Sequence, residues 1–193
     1  MTPDLRRAPG AYSTEDEAAL LRQVSERNRR AFELLYRMYY RRLTRFLAQV
    51  TRRPQLVDEI VNDTMLVVWR KAATFNHGSR VSTWIFAIAY RKALKAVKRA
   101  AEPPPPPWDG DSGSADGPET ELIARESRNR LRQALSGLSA EQRAVVELTY
   151  FHGYAYSEIA QIVGCPVDTV KTRMFHARRK LKLLLDGNRE DPA

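Results

Sequence analysis

Between Ala11 and Ala101 the chain holds one proline, Pro54, and one glycine, Gly78, so almost nothing in this half interrupts a helix. The stretch therefore reads as a few long helices divided at those two points. The first segment runs from about Thr14 to Thr51 with a break near Asn28. Leu20, Leu21, Val24, Phe32, Leu35, Tyr39, Leu43, Phe46, Leu47 and Val50 recur along it at helical spacing as a core face. A second helix follows Pro54 to about Ala73 and turns Val57, Ile60, Val61, Thr64, Met65 and Val68 inward. Its outer side carries Asp58, Glu59, Asn62 and Asp63. Acidic groups early in a helix complement its dipole without any partner, and on a basic module they also suit a basic protein; the residues alone leave both readings open.

A third helix, from about Ser82 to Arg99, begins with Trp84, Ile85, Phe86 and Tyr90 and continues with Arg91, Lys92, Lys95, Lys98 and Arg99. Rings beside a cationic stripe suit single-stranded DNA, because a base can stack on an exposed ring while ammonium and guanidinium groups follow the phosphates. The same rings also read as core. The polar loop before them, Asn76, His77, Gly78, Ser79, Arg80 and Val81, is placed to form a base pocket.

Residues 101–120, AEPPPPPWDGDSGSADGPET, cannot bury enough apolar surface to fold alone and read as a flexible Pro/Gly linker. A helix from about Pro118 to Leu135 follows, then Ser139 and Gln142 at capping-box spacing before a helix with Val145, Val146, Leu148 and Tyr150. The segment Tyr154 to Leu185 reads as a helix-turn-helix. Ile159, Ala160 and Val163 mark one short amphipathic helix, Gly164, Cys165 and Pro166 break it, and Val170, Met174, Ala177, Leu181 and Leu184 recur on the next. Asp168 is expected to cap this last helix. Opposite its apolar stripe stand Lys171, Thr172, Phe175, His176, Arg178 and Arg179, where a recognition helix meets base edges and phosphates.

The fold class is thus all-α, with two small helical domains at 14–100 and 121–185 joined by the linker. The formal charge is +9, with eighteen Lys and Arg against five Asp and Glu between residues 21 and 100. Such a field favours a polyanion through release of its counterions. A single cysteine, Cys165, excludes an intrachain disulfide and a cysteine-based zinc site. With no Gly-rich phosphate loop, no paired carboxylates fit for a metal and three scattered histidines, no catalytic residues, cofactor or metal are expected. The expectation is a DNA-binding protein that is not an enzyme, placed in the cytoplasm, with no apolar run long enough for membrane insertion.

The chain resembles the extracytoplasmic-function sigma factors of the bacterial sigma-70 family from about Phe32 to Leu185. FELLYRMYYRRLTRFL, LVDEIVNDTMLVVWRKAATF and STWIFAIAYRKALKAVKR look like region 2; LSAEQRAVVELTYFHGYAYSEIAQIVGCPVDTVKTRMFHARRKL looks like region 4. The resemblance implies a promoter-specificity subunit with three interfaces. Asp58, Glu59, Asn62, Asp63 and Trp69 would dock on core RNA polymerase. Asn76, His77, Gly78, Ser79 and Arg80, with Trp84, Tyr90, Arg91, Lys95 and Lys98, would capture melted bases of the -10 element. Lys171, Thr172, Phe175 and His176 would read the duplex -35 element, with Arg173, Arg178 and Arg179 on phosphates. It further implies control by an anti-sigma factor. The chain departs from the family at Arg91, often Asn, at His176, often Arg, and at Asp168, usually Gly. Exchange of Arg for His removes a fixed bidentate fork, so the -35 preference is expected to be this chain's own. The contrasting reading is a stand-alone helix-turn-helix transcription regulator, in which residues 139–185 act on DNA and the first module senses a signal or dimerises.

Overall fold

The computed structural model describes residues 13–99 and 134–186, and among them the regular structure is helical throughout. The first module is built from α1 (Thr14–Ser25), α2 (Arg29–Thr51), α3 (Pro54–Lys71) with a 3-10 turn at Ala72–Thr74, and α4 (Val81–Arg99). Local chemistry sets these boundaries. Ser13 and Asp16 form a reciprocal capping box at the start of α1. The expected break falls where Arg27 takes φ 65° and the Asn28 side chain accepts from the Ala31 N–H at 3.1 Å. Arg52, left-handed at φ 53°, ends α2, and Pro54 opens α3 at a position where its missing N–H costs nothing.

The second module contains α5 (Ala140–Tyr150), α6 (Tyr156–Val163) and α7 (Val167–Asp186). The Ser139–Gln142 capping box is present: the Ser139 hydroxyl accepts from the Gln142 N–H at 3.2 Å and the Gln142 side chain accepts from the Ser139 N–H at 3.1 Å. Gly164 ends α6 at φ +68°, the left-handed conformation that glycine adopts without steric cost. Asp168 does not act as the expected cap. The Thr169 and Val170 N–H groups donate to the Pro166 carbonyl, so the helix has already begun at Val167 and Asp168 lies inside its first turn. The expected linker at 101–120, and all but the end of the helix expected at 118–135, lie outside the described residues.

The two modules pack on one another. α2 lies against α1, α3, α4 and α5, while α6 lies against α4. One apolar cluster runs through both, from Leu20 and Phe46 to Ile159 and Met174. Tyr39, Leu43, Phe46 and Phe86 are fully buried at its centre. Each such side chain removed from water contributes roughly 1.5–3 kcal/mol. Among the described residues, no helix is long and apolar enough to cross a membrane.

Candidate nucleic-acid interface

The helix-turn-helix is held by its own apolar face. Val170, Met174 and Ala177 of α7 are buried against α5 and α6, which turns Lys171, Thr172, Phe175, His176, Arg178 and Arg179 to solvent. Phe175 is 62 % exposed, a high value for a ring with no chemistry of its own, and it meets His176 edge-on at 5.5 Å. Lys171 is paired with Asp168 at 3.0 Å. The Arg178 Nε donates to the Tyr150 hydroxyl at 3.0 Å, which steadies its guanidinium beside α5. Arg173 differs from its neighbours: it is half-buried, with its Nη1 3.7 Å from the Cys165 sulfur, on the side of α7 that looks toward the first module.

In the first module, the loop from Asn76 to Arg80 is shaped by local contacts. The Asn76 side chain accepts from the Gly78 N–H at 3.1 Å, and His77 takes φ 58°. Phe75 sits between His77 and Trp84, at ring distances of 4.9 and 5.3 Å. Trp84 is half-buried. Arg91, Lys95 and Lys98 are exposed along α4 as the spacing predicts. Tyr90 is not: it is buried beneath the second module, and desolvation raises its phenol pKa to about 12 while Arg173 pulls the other way.

The acidic face of α3 is a network rather than a bare patch. Tyr36 donates to Asn62 at 2.7 Å, Tyr40 donates to Asp58 at 3.0 Å, and Lys92 pairs with Asp63 at 2.7 Å. Trp69 packs edge-on against Phe32 at 5.1 Å with the Arg27 guanidinium 5.5 Å over its ring. Asp58, Glu59, Asn62 and Asp63 stay exposed. Among the described residues, no cluster of His, Cys, Asp and Glu could hold a metal ion.

Residues 35–102 match the family model for sigma-70 region 2, and residues 128–181 match that for sigma-70 region 4. The ECF RNA polymerase sigma factor SigK of Mycobacterium ulcerans is 31 % identical over 183 residues, covering 91 % of this chain and 96 % of that one. The chain belongs to the ECF sigma factors. SigM of Mycobacterium tuberculosis is 31 % identical over 176 residues, 91 % of this chain and 88 % of its own. Two solved structures share the fold of this sigma factor. CnrH in complex with the cytosolic domain of CnrY has a TM-score of 0.67 at 25 % identity, covering 89 % of this chain and 98 % of CnrH. RpoE of Bartonella quintana bound to the anti-sigma factor NepR has a TM-score of 0.60 at 25 % identity, covering 76 % and 91 %.

The sequence reading of this sigma factor missed its inter-module junction. The Arg143 guanidinium donates to the carbonyls of Gln49, Val50 and Leu138, closing the C-terminal end of α2 from the other module. Arg52 donates in the opposite direction to the Ser136 carbonyl at 3.1 Å. Arg45 reaches Glu147, and Arg42 bridges Glu17 and the Tyr154 hydroxyl. His152 is wedged against Phe46 and Phe86 at 6.1 and 4.9 Å. Arg80, in the loop before α4, pairs at 3.2 Å with Glu158, whose carboxylate also accepts from the Ala155 N–H at the start of α6. One signal was visible in the sequence: Glu147 interrupts the apolar run Val145, Val146 and Leu148, and an acid on a buried face needs a partner from elsewhere.

Proposed function

We propose that this sigma factor joins core RNA polymerase through the α2–α3 surface around Asp58, Glu59, Asn62, Asp63 and Trp69. In that complex it reads a -35 element with α7 and captures melted -10 bases at the loop and helix from Asn76 to Lys98. Its domains are 14–100 and 121–185, and it works in the cytoplasm beside the polymerase. It makes and breaks no covalent bond. Opening the duplex is a binding equilibrium, in which stacking on Trp84 and phosphate contacts from Arg91, Lys95 and Lys98 offset unstacking of a few kcal/mol per base. The observation that carries the reading is the exposed face of α7, where Lys171, Thr172, Phe175 and His176 face solvent on the second helix of a helix-turn-helix. Because the sigma factor RpoE, which shares this fold, was solved with the anti-sigma factor NepR, an anti-sigma partner is part of the proposal.

The deciding experiment is start-site-resolved transcription by purified core polymerase, with and without this protein, on a library of genomic promoter fragments. New discrete starts that share two upstream motifs are expected. Salt-sensitive duplex binding without new starts would instead favour a stand-alone regulator.

A further inference from the structure

We propose that Asp168 and Lys171 act as one unit that reads a single G·C pair in the -35 element. The inference rests on the reading of α7 as the -35 helix. Asp168 stands in the first turn of α7, the end of a recognition helix that reaches base edges, and its side chain is 90 % exposed. It is the one carboxylate among the described side chains of α7, on a face otherwise made of cationic, hydroxyl and aromatic groups. A carboxylate there repels phosphates on every sequence, so it contributes to recognition only where a base offers it a donor. Cytosine N4 is such a donor.

The geometry supplies the match. The Lys171 ammonium and an Asp168 carboxylate oxygen are 3.0 Å apart. In a G·C pair the guanine O6 acceptor and the cytosine N4 donor are themselves joined by a hydrogen bond, at about 2.9 Å. A donor and an acceptor at hydrogen-bond distance can therefore lie side by side over that edge, with Lys171 on O6 and Asp168 on N4. Lys171 then also has guanine N7 within reach. On an A·T pair the donor and acceptor are reversed along the edge, and Lys171 at thymine O4 meets the methyl group in place of N7. The Thr172 hydroxyl donates to the Asp168 carbonyl at 2.9 Å, which holds that hydroxyl against the first turn beside the pair.

The test is selection of -35 variants by polymerase holoenzyme carrying the wild-type chain, Asp168→Ala, Lys171→Ala or the double variant, with each base pair randomised and bound DNA sequenced. The wild type should require G·C in one orientation at one position. Each single variant should relax that same position about tenfold, the double variant should add little, and Asp168→Ala should bind the disfavoured sequences more tightly. Relaxation at two different positions, or an Asp168→Ala effect equal on all sequences, would overturn the unit. Absence of any selected upstream motif with the wild type would instead sink the -35 reading itself, and the inference with it.

Discussion

Arg45 of α2 donates to the Glu147 carboxylate of α5 at 3.2 Å, across the junction between the two modules. Its guanidinium also lies 4.2 Å over the Phe151 ring. Glu147 is deeply buried, and although Arg45 draws its pKa down, desolvation dominates and raises it to about 7. His152, whose Nε2 is 3.9 Å from the same carboxylate, is lowered to about 4 by burial, with Arg42 and Arg45 acting in the same direction. Both groups thus favour their neutral forms in the packed chain.

The signs of these two shifts oppose each other. Glu147 binds its proton more tightly in the packed state, so its contribution to stability is greatest below its ordinary pKa and falls as pH rises toward 7. His152 contributes fully above its ordinary pKa and loses that contribution as pH falls toward 4. Between about pH 4.5 and 6.5 the slopes offset, and this pair leaves thermal stability nearly flat. Glu147→Gln should expose the His152 slope, with stability rising with pH by up to about 1.4 kcal/mol per unit. His152→Phe should expose the opposite slope. Melting temperatures of the three proteins across pH 4–8 check this, and parallel curves would refute it.

Arg143→Ala should loosen the junction more than any surface change. It leaves the carbonyls of Gln49, Val50 and Leu138 without the donor that serves them, and a buried polar group deprived of its partner costs about 1–3 kcal/mol. A lysine at this position restores charge but not the planar fork, so Arg143→Lys should recover only part of the loss. Small-angle scattering should show a larger radius of gyration for the alanine variant. An unchanged profile and unchanged melting would remove Arg143 from the junction.

Helix positions and the helix-turn-helix were legible because they are local. Pro54, Gly164 and the apolar spacing of Val170, Met174 and Ala177 carry their own geometry, and Ser139 with Gln142 specifies a cap within four residues. The junction was not legible, because Arg45 and Glu147 lie about a hundred positions apart and neither has a periodicity that names the other. Tyr90 shows the consequence. On α4 alone it reads either as a ring beside a cationic stripe or as core, and the packing of α6 on α4 shows that it is covered. Asp168 failed as a cap for a similar reason, since Pro166 had already set the start of the helix.

Charge reversal on the α3 face should separate polymerase docking from DNA reading. Asp58→Lys with Glu59→Lys leaves the buried side of α3 untouched, while it removes the acceptor of the Tyr40 hydroxyl and inverts the local field. Affinity for core polymerase should fall at least about tenfold, as when like charges meet across an interface. Thermal stability should change by less than about 1 kcal/mol, since exposed pairs contribute little. Equal core affinity in a titration would reject the surface.

Trp84 and Tyr90 make different predictions for duplex opening, although both were assigned to the -10 contact. Trp84 is half-buried, with its ring tilted against Phe75 at 5.3 Å, so Trp84→Ala removes a ring that a flipped base could use. Permanganate reactivity of -10 thymines in the polymerase complex should then drop by about tenfold or more, matching roughly 1–3 kcal/mol per stacked base. Tyr90 is buried on α4, against which α6 packs, and its hydroxyl interacts with Arg173 of α7. Tyr90→Phe keeps the ring, and a stacking platform needs only the ring, so neither role predicts a loss from this change. Tyr90→Ala distinguishes them. Junction packing predicts a lower melting temperature, from the loss of about 3–5 kcal/mol of stability typical of a large-to-small aromatic core change, with opening per bound complex preserved. A direct base contact predicts lost permanganate reactivity at unchanged stability, and that outcome would place Tyr90 on DNA in the open complex despite its burial in the free chain.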